Sequence, residues 1–145
     1  MLNYFGPKQR CKAVFCSTKN WIFTYLGRSF TIFSGHLDVM KFFVESKVNL
    51  EPRDAKEDTP LHNAAWNGQI KIVKYLVQLD VSKEPKDTFG NTPLHEAAMC
   101  GQLEMVKILM DLDIDKEPRN YGLKTPLHYA AQGQCCQLWI IFMPK

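Results

Sequence analysis

The sequence has no run of about eighteen apolar residues without a charge, the length a membrane-crossing helix needs. Its most apolar windows, 21–33 and 138–143, are shorter, and Arg28 interrupts the first. Cysteines are few and irregular: five, an odd number, without the spacing of a secreted disulfide framework. That argues for an intracellular chain with reduced thiols, cytoplasmic in placement, the nucleus remaining compatible. A glycine-rich phosphate loop, a paired-acid constellation and a metalloprotease motif are also missing. The net charge of +3 over 145 residues is too small by itself to imply a nucleic-acid partner. What remains is ordinary globular composition, 46% hydrophobic and 23% charged, at a length expected for one domain.

Acidic residues are absent from 1–33, which holds Lys8, Arg10, Lys12, Lys19 and Arg28. Residues 34–119 carry 15 acidic against 11 basic side chains, and only Lys124 and Lys145 follow. Such a shift marks an architectural boundary. Residues 1–25 are expected to form a basic, poorly ordered N-terminal segment. With Tyr4, Phe5 and Phe15 among its charges, this arm offers one alternative function, holding a single nucleic-acid strand. A solvated tail is the plainer reading. An organelle-targeting segment fits less well, for want of an amphipathic period.

Repetition decides the architecture. Thr-Pro-Leu-His stands at 59–62, 92–95 and 125–128, each interval being 33 residues. Between 59–86 and 92–119, 16 of 28 aligned positions are identical. Thr59, Thr92 and Thr125 suit helix N-caps, and the following proline suits a first turn where no amide partner is needed. His62, His95 and His128, at the third helical position, are placed to hydrogen-bond back toward the threonine, as glutamate does in a capping box. Paired alanines at 64–65, 97–98 and 130–131 give slim faces for close helix approach. Gly68 and Gly101 are suited to positive φ and to ending the first helix. A second helix follows, with an apolar stripe on Ile70, Ile72, Val73, Leu76 and Val77, then on Leu103, Met105, Val106, Leu109 and Met110. Pro85 and Pro118 stop any continuation. One such unit cannot cover its own stripe and is stable only when stacked on others.

This pattern resembles the ankyrin repeat, strongly over 54–119, fairly over 34–53 and 120–132. The resemblance implies an all-α, ankyrin-type helical repeat solenoid with short hairpin-like loops on one side. It also implies non-catalytic binding of a partner protein or peptide, as an interaction module or scaffold. The repeat domain is expected over 26–134, in units of about 26–53, 54–86, 87–119 and 120–134, with 135–145 as an apolar C-terminal tail.

The pattern breaks at both ends. Leu26-Gly27-Arg28-Ser29 fills the first Thr-Pro-Leu-His site, and Gly133 comes one residue early relative to Gly101. The abrupt loss of resemblance favours a piece of a longer array over flanks that fold back as caps. The family's glycine after the second helix is replaced by Lys47, Asp80 and Asp113, of which aspartate tolerates positive φ better. The loop pattern Asp-x-x-Gly-x-Thr is complete only at 87–92, so 54–58 and 120–124 are expected to be looser.

In ankyrin-like stacks, partners touch the loop tips and the open side of the first helix. The resemblance places Lys56, Phe89, Asn91 and Tyr121 on the tips, with Ala55, Asp58, Thr88 and Lys124 beside them. On the helices it places Asn63, Trp66, Asn67, Glu96, Met99, Cys100, Tyr129 and Gln132. Trp66, Met99 and Gln132 recur at intervals of 33 and should share one surface. The aromatic residues and Met99 form a candidate hot-spot strip; the blander reading has Trp66 packing sideways on its neighbours. The triplets Glu51-Pro52-Arg53, Glu84-Pro85-Lys86 and Glu117-Pro118-Arg119 read either as a charged ladder for a partner or as solvated pairs worth about 0–1 kcal/mol each.

No cofactor and no small-molecule substrate is expected. Zinc would need four converging ligands, whereas Cys11, Cys16, Cys135 and Cys136 lie at opposite ends of the stack. A Cys/His enzyme built on His95 and Cys100 would need a positioned base and an oxyanion site, and both residues already have repeat-level roles.

Overall fold

Thr59 leaves the preceding loop in an extended conformation (φ −91°, ψ 167°), and Pro60 opens a helix at once. Thr92–Pro93 and Thr125–Pro126 repeat the same entry. The computed structural model describes residues 37–45, 49–79, 81–133 and 136–142. The N-terminal segment 1–25, Lys47 and Asp80 lie outside the described residues. Among those described are seven helices: α1 Leu37–Glu45, α2 Pro60–Trp66, α3 Ile70–Leu76, α4 Pro93–Met99, α5 Leu103–Met110, α6 Pro126–Gln132 and α7 Cys136–Phe142. They include no strand. The fold is all-α, as the periodicity predicts.

Helices of seven residues are too short to hold themselves in water, so caps and packing must do it. At the end of α2, Gln69 N–H donates to Ala64 O at 2.9 Å and Gly68 N–H to Ala65 O at 3.3 Å, with Gly68 at φ +65°. Gln102 and Gly101 repeat this closure on Ala97 and Ala98 at 2.9 and 3.2 Å, Gly101 having φ +67°. Only a left-handed residue allows it, hence the glycine. Gly133 does something else. It stands at the position of Asn67 and Cys100, at φ −77°, so its early arrival is a substitution and α6 keeps its length.

The first helices α2, α4 and α6 pack side by side in one row, and each of α3, α5 and α7 lies against the first helix of its own unit. Ala64, Ala65, Ala97 and Ala98 are fully buried between rows, where a longer side chain would hold the helices apart. Ile72, Val73, Leu76, Met105, Val106 and Leu109 fill the core, while Lys71, Lys74, Glu104 and Lys107 face outward. Residues 136–142, set apart on sequence as a tail, instead form α7, the second helix of the last unit. Leu138 is buried at the position of Ile72 and Met105, whereas Ile140 stands out at the position of Lys74 and Lys107. An apolar residue on an outward position blurs the helical period, which hid this helix.

The loops correct a second expectation. Asp54 Oδ1 accepts the N–H groups of Lys56 and Asp58 at 2.8 and 3.0 Å; Asp87 Oδ1 accepts those of Phe89 and Asn91 at 2.8 and 2.7 Å. Asn120 Oδ1 does the same for Gly122 and Lys124 at 3.0 and 2.9 Å. The loops at 54–58 and 120–124 therefore carry the same pair of side-chain bonds as 87–91, Asp54 through a carboxylate oxygen and Asn120 through an amide oxygen in its place. What the incomplete patterns cost is backbone strain. Glu57 and Leu123 stand at φ 61° and 58°, where the second loop has Gly90 at 77°. Among the described non-glycine residues no other has positive φ, so Asp113 does not adopt it. A left-handed non-glycine residue costs roughly 1–2 kcal/mol. Leu123 is 67% exposed and gives up little packing. Leu123→Gly should therefore stabilise the protein by about 0.5–1 kcal/mol, net of the extra chain entropy glycine brings to the unfolded state. The midpoint of urea unfolding measures this, and a lower midpoint would contradict the strain argument.

Consecutive units are tied along their loops. Thr88 N–H donates to Lys56 O and Tyr121 N–H to Phe89 O, both at 3.0 Å. In the first two Glu-Pro-basic triplets the glutamate reaches the next loop rather than its own basic neighbour. The Glu51 carboxylate accepts Ser82 N–H at 2.7 Å, and that of Glu84 accepts Asp115 N–H at 3.0 Å. Arg53 Nη1 reaches Lys86 O at 2.8 Å and Glu57 at 3.5 Å.

Candidate partner-binding surface

The three repeated histidines hold the surface rather than react on it. In α2, Thr59 N–H donates to His62 Nδ1 at 3.1 Å. An amide can only donate, so Nδ1 is unprotonated and Nε2 carries the hydrogen. Nε2 then donates to Asn91 O of the next loop at 3.0 Å. His95 repeats both bonds, from Thr92 N–H and to Lys124 O, each at 3.0 Å. Burial holds both imidazoles below their ordinary value of 6.5, although the Asn91 and Lys124 carbonyls and the Asp87 charge pull the other way. Each ring is a neutral bridge joining a helix start to the following tip.

Those bridges place the tips over the first-helix row and leave a concave cleft of about 560 Å³ between them. Trp66 and Met99 line it from the ends of α2 and α4, Tyr129 from α6, and Lys56, Phe89 and Tyr121 from the tips. Asn63, Asn91 and Glu96 also reach it, so nine of the twelve side chains expected at the surface converge there. Asn67 and Cys100, both half-buried, and the exposed Gln132 lie outside the cleft lining.

The convergent residues differ in what they can offer. Phe89 and Tyr121 are 60% and 70% exposed, and Trp66, at 42%, is not packed away among its neighbours. Asn91 is buried and engaged internally: it donates to Asp87 Oδ2 at 3.1 Å and accepts from Asn120 Nδ2 at 2.8 Å. Its place is at the base of the tip, as a strut. Asn63 and Glu96 are also buried, leaving little surface for a guest.

Sequence reasoning passed over Asn120. Its Nδ2 also reaches Tyr129 Oη at 3.0 Å, and Tyr129 Oη–H reaches Asn91 Oδ1 at 3.3 Å. Lys124 sits 5.5 Å from the centre of the Tyr129 ring, within cation–π range, and His95 meets that ring edge-on at 5.8 Å. The second and third tips are locked together by side chains as well as by backbone. The signal was present as an Asn in the Asp column of the loop, opposite a tyrosine nine residues on.

Among the described residues no cluster of three or more His, Cys, Asp or Glu side chains is arranged to hold a metal ion. No described helix is long and apolar enough to cross a membrane. The basic-arm residues Lys8, Arg10, Lys12 and Lys19, with Cys11, Cys16 and Cys135, lie outside the described residues.

Two family models match the chain: "Ankyrin repeats (many copies)" over residues 29–77 and "Ankyrin repeats (3 copies)" over residues 79–141. No curated protein matches it. Together the two matches run from 29 to 141 with only residue 78 between them, and they take in α7 up to Ile141. Proteins built from this repeat are generally non-enzymatic protein-interaction modules. With caps, glycine closures and loop ties all recurring at the interval of the sequence repeat, the chain belongs to the ankyrin-repeat family.

Proposed function

We propose that the protein binds a partner protein or peptide in the cleft between its loop tips and first helices, without catalysing a reaction. The observation that carries this is the exposure of Trp66, Phe89 and Tyr121 around one cavity whose walls are held by hydrogen bonds. Large aromatic side chains on a hydrogen-bonded frame lose only their own rotamer freedom when a guest arrives, about 0.5–1.5 kcal/mol each, and such residues dominate interface energetics. A partner side chain set between Trp66 and Met99 would be covered by Phe89 from the tips. Recognition is by shape, with little movement of the frame.

The test is a titration with a partner first identified by affinity capture on the full chain. Trp66→Ala and Phe89→Ala should each weaken the complex by about 10–100-fold, with helical circular dichroism unchanged. Undiminished affinity in both variants would remove this surface from consideration.

A further inference from the structure

Charge is unevenly spread along the cleft. Its lining holds three carboxylates, Asp58, Asp87 and Glu96, against two ammonium groups, Lys56 and Lys124, with His62 a neutral bridge. Asp87 is answered by its own tip, accepting Phe89 N–H, Asn91 N–H and Asn91 Nδ2–H at 2.8, 2.7 and 3.1 Å. Lys124 is also engaged: its Nζ rests 5.5 Å from the centre of the Tyr129 ring. The third unit thus seats a cation of its own on an aromatic face. The earlier units reverse this arrangement. Two intervals before Lys124 the same position holds Asp58, and one interval before Tyr129 it holds Glu96. The rings that share the cleft with these two acids, Trp66 and Phe89, lie open. Tyr121 adds a third ring on the next tip. It is set against the backbone of Gly90, where an added Cβ would come within 2.8 Å of it, so it is held in place although 70% exposed.

We infer that the cleft receives an arginine side chain of the partner, its guanidinium plane against Trp66 and Phe89 and its charge toward Asp58 and Glu96. This rests on the cleft being the docking surface and names what enters it. An aromatic face attracts a cation, and more strongly once water is displaced from around the pair. Arginine suits the site better than lysine, because its planar, weakly hydrated head stacks on a ring and still offers N–H groups along its edge. Glu96 is only 9% exposed, so it acts through its field, which low-dielectric walls focus into the cleft. Asp58 is half-buried and presents more of its carboxylate. An apolar guest would strip water from both acids without giving a positive group in return, and an acidic guest would be repelled by them. Of the two lysines, Lys124 is turned to Tyr129, and Lys56 is exposed on the rim, where a long side chain can swing outward.

The test titrates the full chain with an acetylated, amidated glycine–serine pentapeptide carrying arginine at its centre. The same peptide with citrulline, leucine or glutamate there serves for comparison, citrulline having arginine's shape without its charge. Binding is read at the Trp66 indole N–H resonance, identified by its loss in Trp66→Phe. The arginine peptide should bind at least about fivefold more tightly than the citrulline one. Asp58→Asn and Glu96→Gln should each weaken it severalfold and leave the leucine peptide unaffected, Lys56→Ala should strengthen it, and added salt should weaken it. Equal binding of the citrulline peptide, or indifference to both acid replacements, overturns the proposal. Preference for leucine or glutamate at Trp66 overturns it too, but keeps the cleft as the docking surface. An arginine peptide that leaves Trp66 undisturbed also overturns it, whereas the cleft itself stands or falls with Trp66→Ala and Phe89→Ala against the captured partner.

Discussion

Leu94→Ala should lower the free energy of unfolding by about 2–5 kcal/mol, the range for truncating a buried leucine. Leu94 is 1% exposed on α4, the first helix with another first helix packed on each side. The lost methyl groups leave a cavity in the middle of the row, and the alanines around it are too short to fill it. In a linear stack, damage to a central unit weakens two joints, whereas damage at an end weakens one. Leu127, its equivalent on α6, is half-exposed and has no described helix on its far side. Leu127→Ala should therefore cost less than half as much. Set against a total of roughly 5–15 kcal/mol for a domain of this kind, the Leu94 variant approaches the threshold of folding. Urea unfolding followed by circular dichroism measures both, and equal losses would mean that the units do not depend on their neighbours as described.

His95→Ala should be nearly as damaging. It removes the helix-start bond, worth about 0.5–2 kcal/mol, and one of the two hydrogen bonds on the Lys124 carbonyl, which keeps Asn120 N–H, at about 0.5–1.5 kcal/mol. His128→Ala loses only its own helix-start bond, since no described residue meets its Nε2. The difference between the two variants isolates the bridge between units. The same bridge imposes a pH dependence. Both His62 and His95 are held below 6.5 by burial, so the unfolded chain takes up protons before the folded one does. Their contribution is complete above 6.5 and is lost as the pH falls from there through the lowered values. Melting temperatures should drop from about pH 7.5 to about pH 5.5, and less steeply when both rings are replaced by glutamine. A flat profile in the unaltered protein would show that the rings are not kept neutral by the fold.

Much of this was legible from residue order, for a physical reason that also sets its limit. Thr59, Pro60, His62 and Gly68 act within their own turn of chain, so their types and spacing announce the helix between them. Glu51 acts on an amide 31 residues away, and nothing in Glu-Pro-Arg says whether its carboxylate meets water, arginine or backbone. Glu57 and Leu123 escaped notice because the residue types argue against the left-handed backbone that their loops impose. Here neighbouring hydrogen bonds override local preference. The cleft residues were found by position, but Asn91 and Glu96 show that position alone does not separate a tip from its root. α7 was missed because its outward positions are apolar, and only stacking on α5 and α6 reveals which side is inside.

The amide-based ties bear on how such a surface can diversify. Lys56 and Phe89 offer the same carbonyl, Thr88 and Tyr121 the same N–H, and Ser82 and Asp115 likewise, although the side chains in each pair have nothing in common. The frame reads main chain, while a visitor reads side chain. Mutation can thus rewrite what the tips display without loosening the column behind them, with one forbidden letter at positions 82, 88, 115 and 121: proline, which has no hydrogen to give.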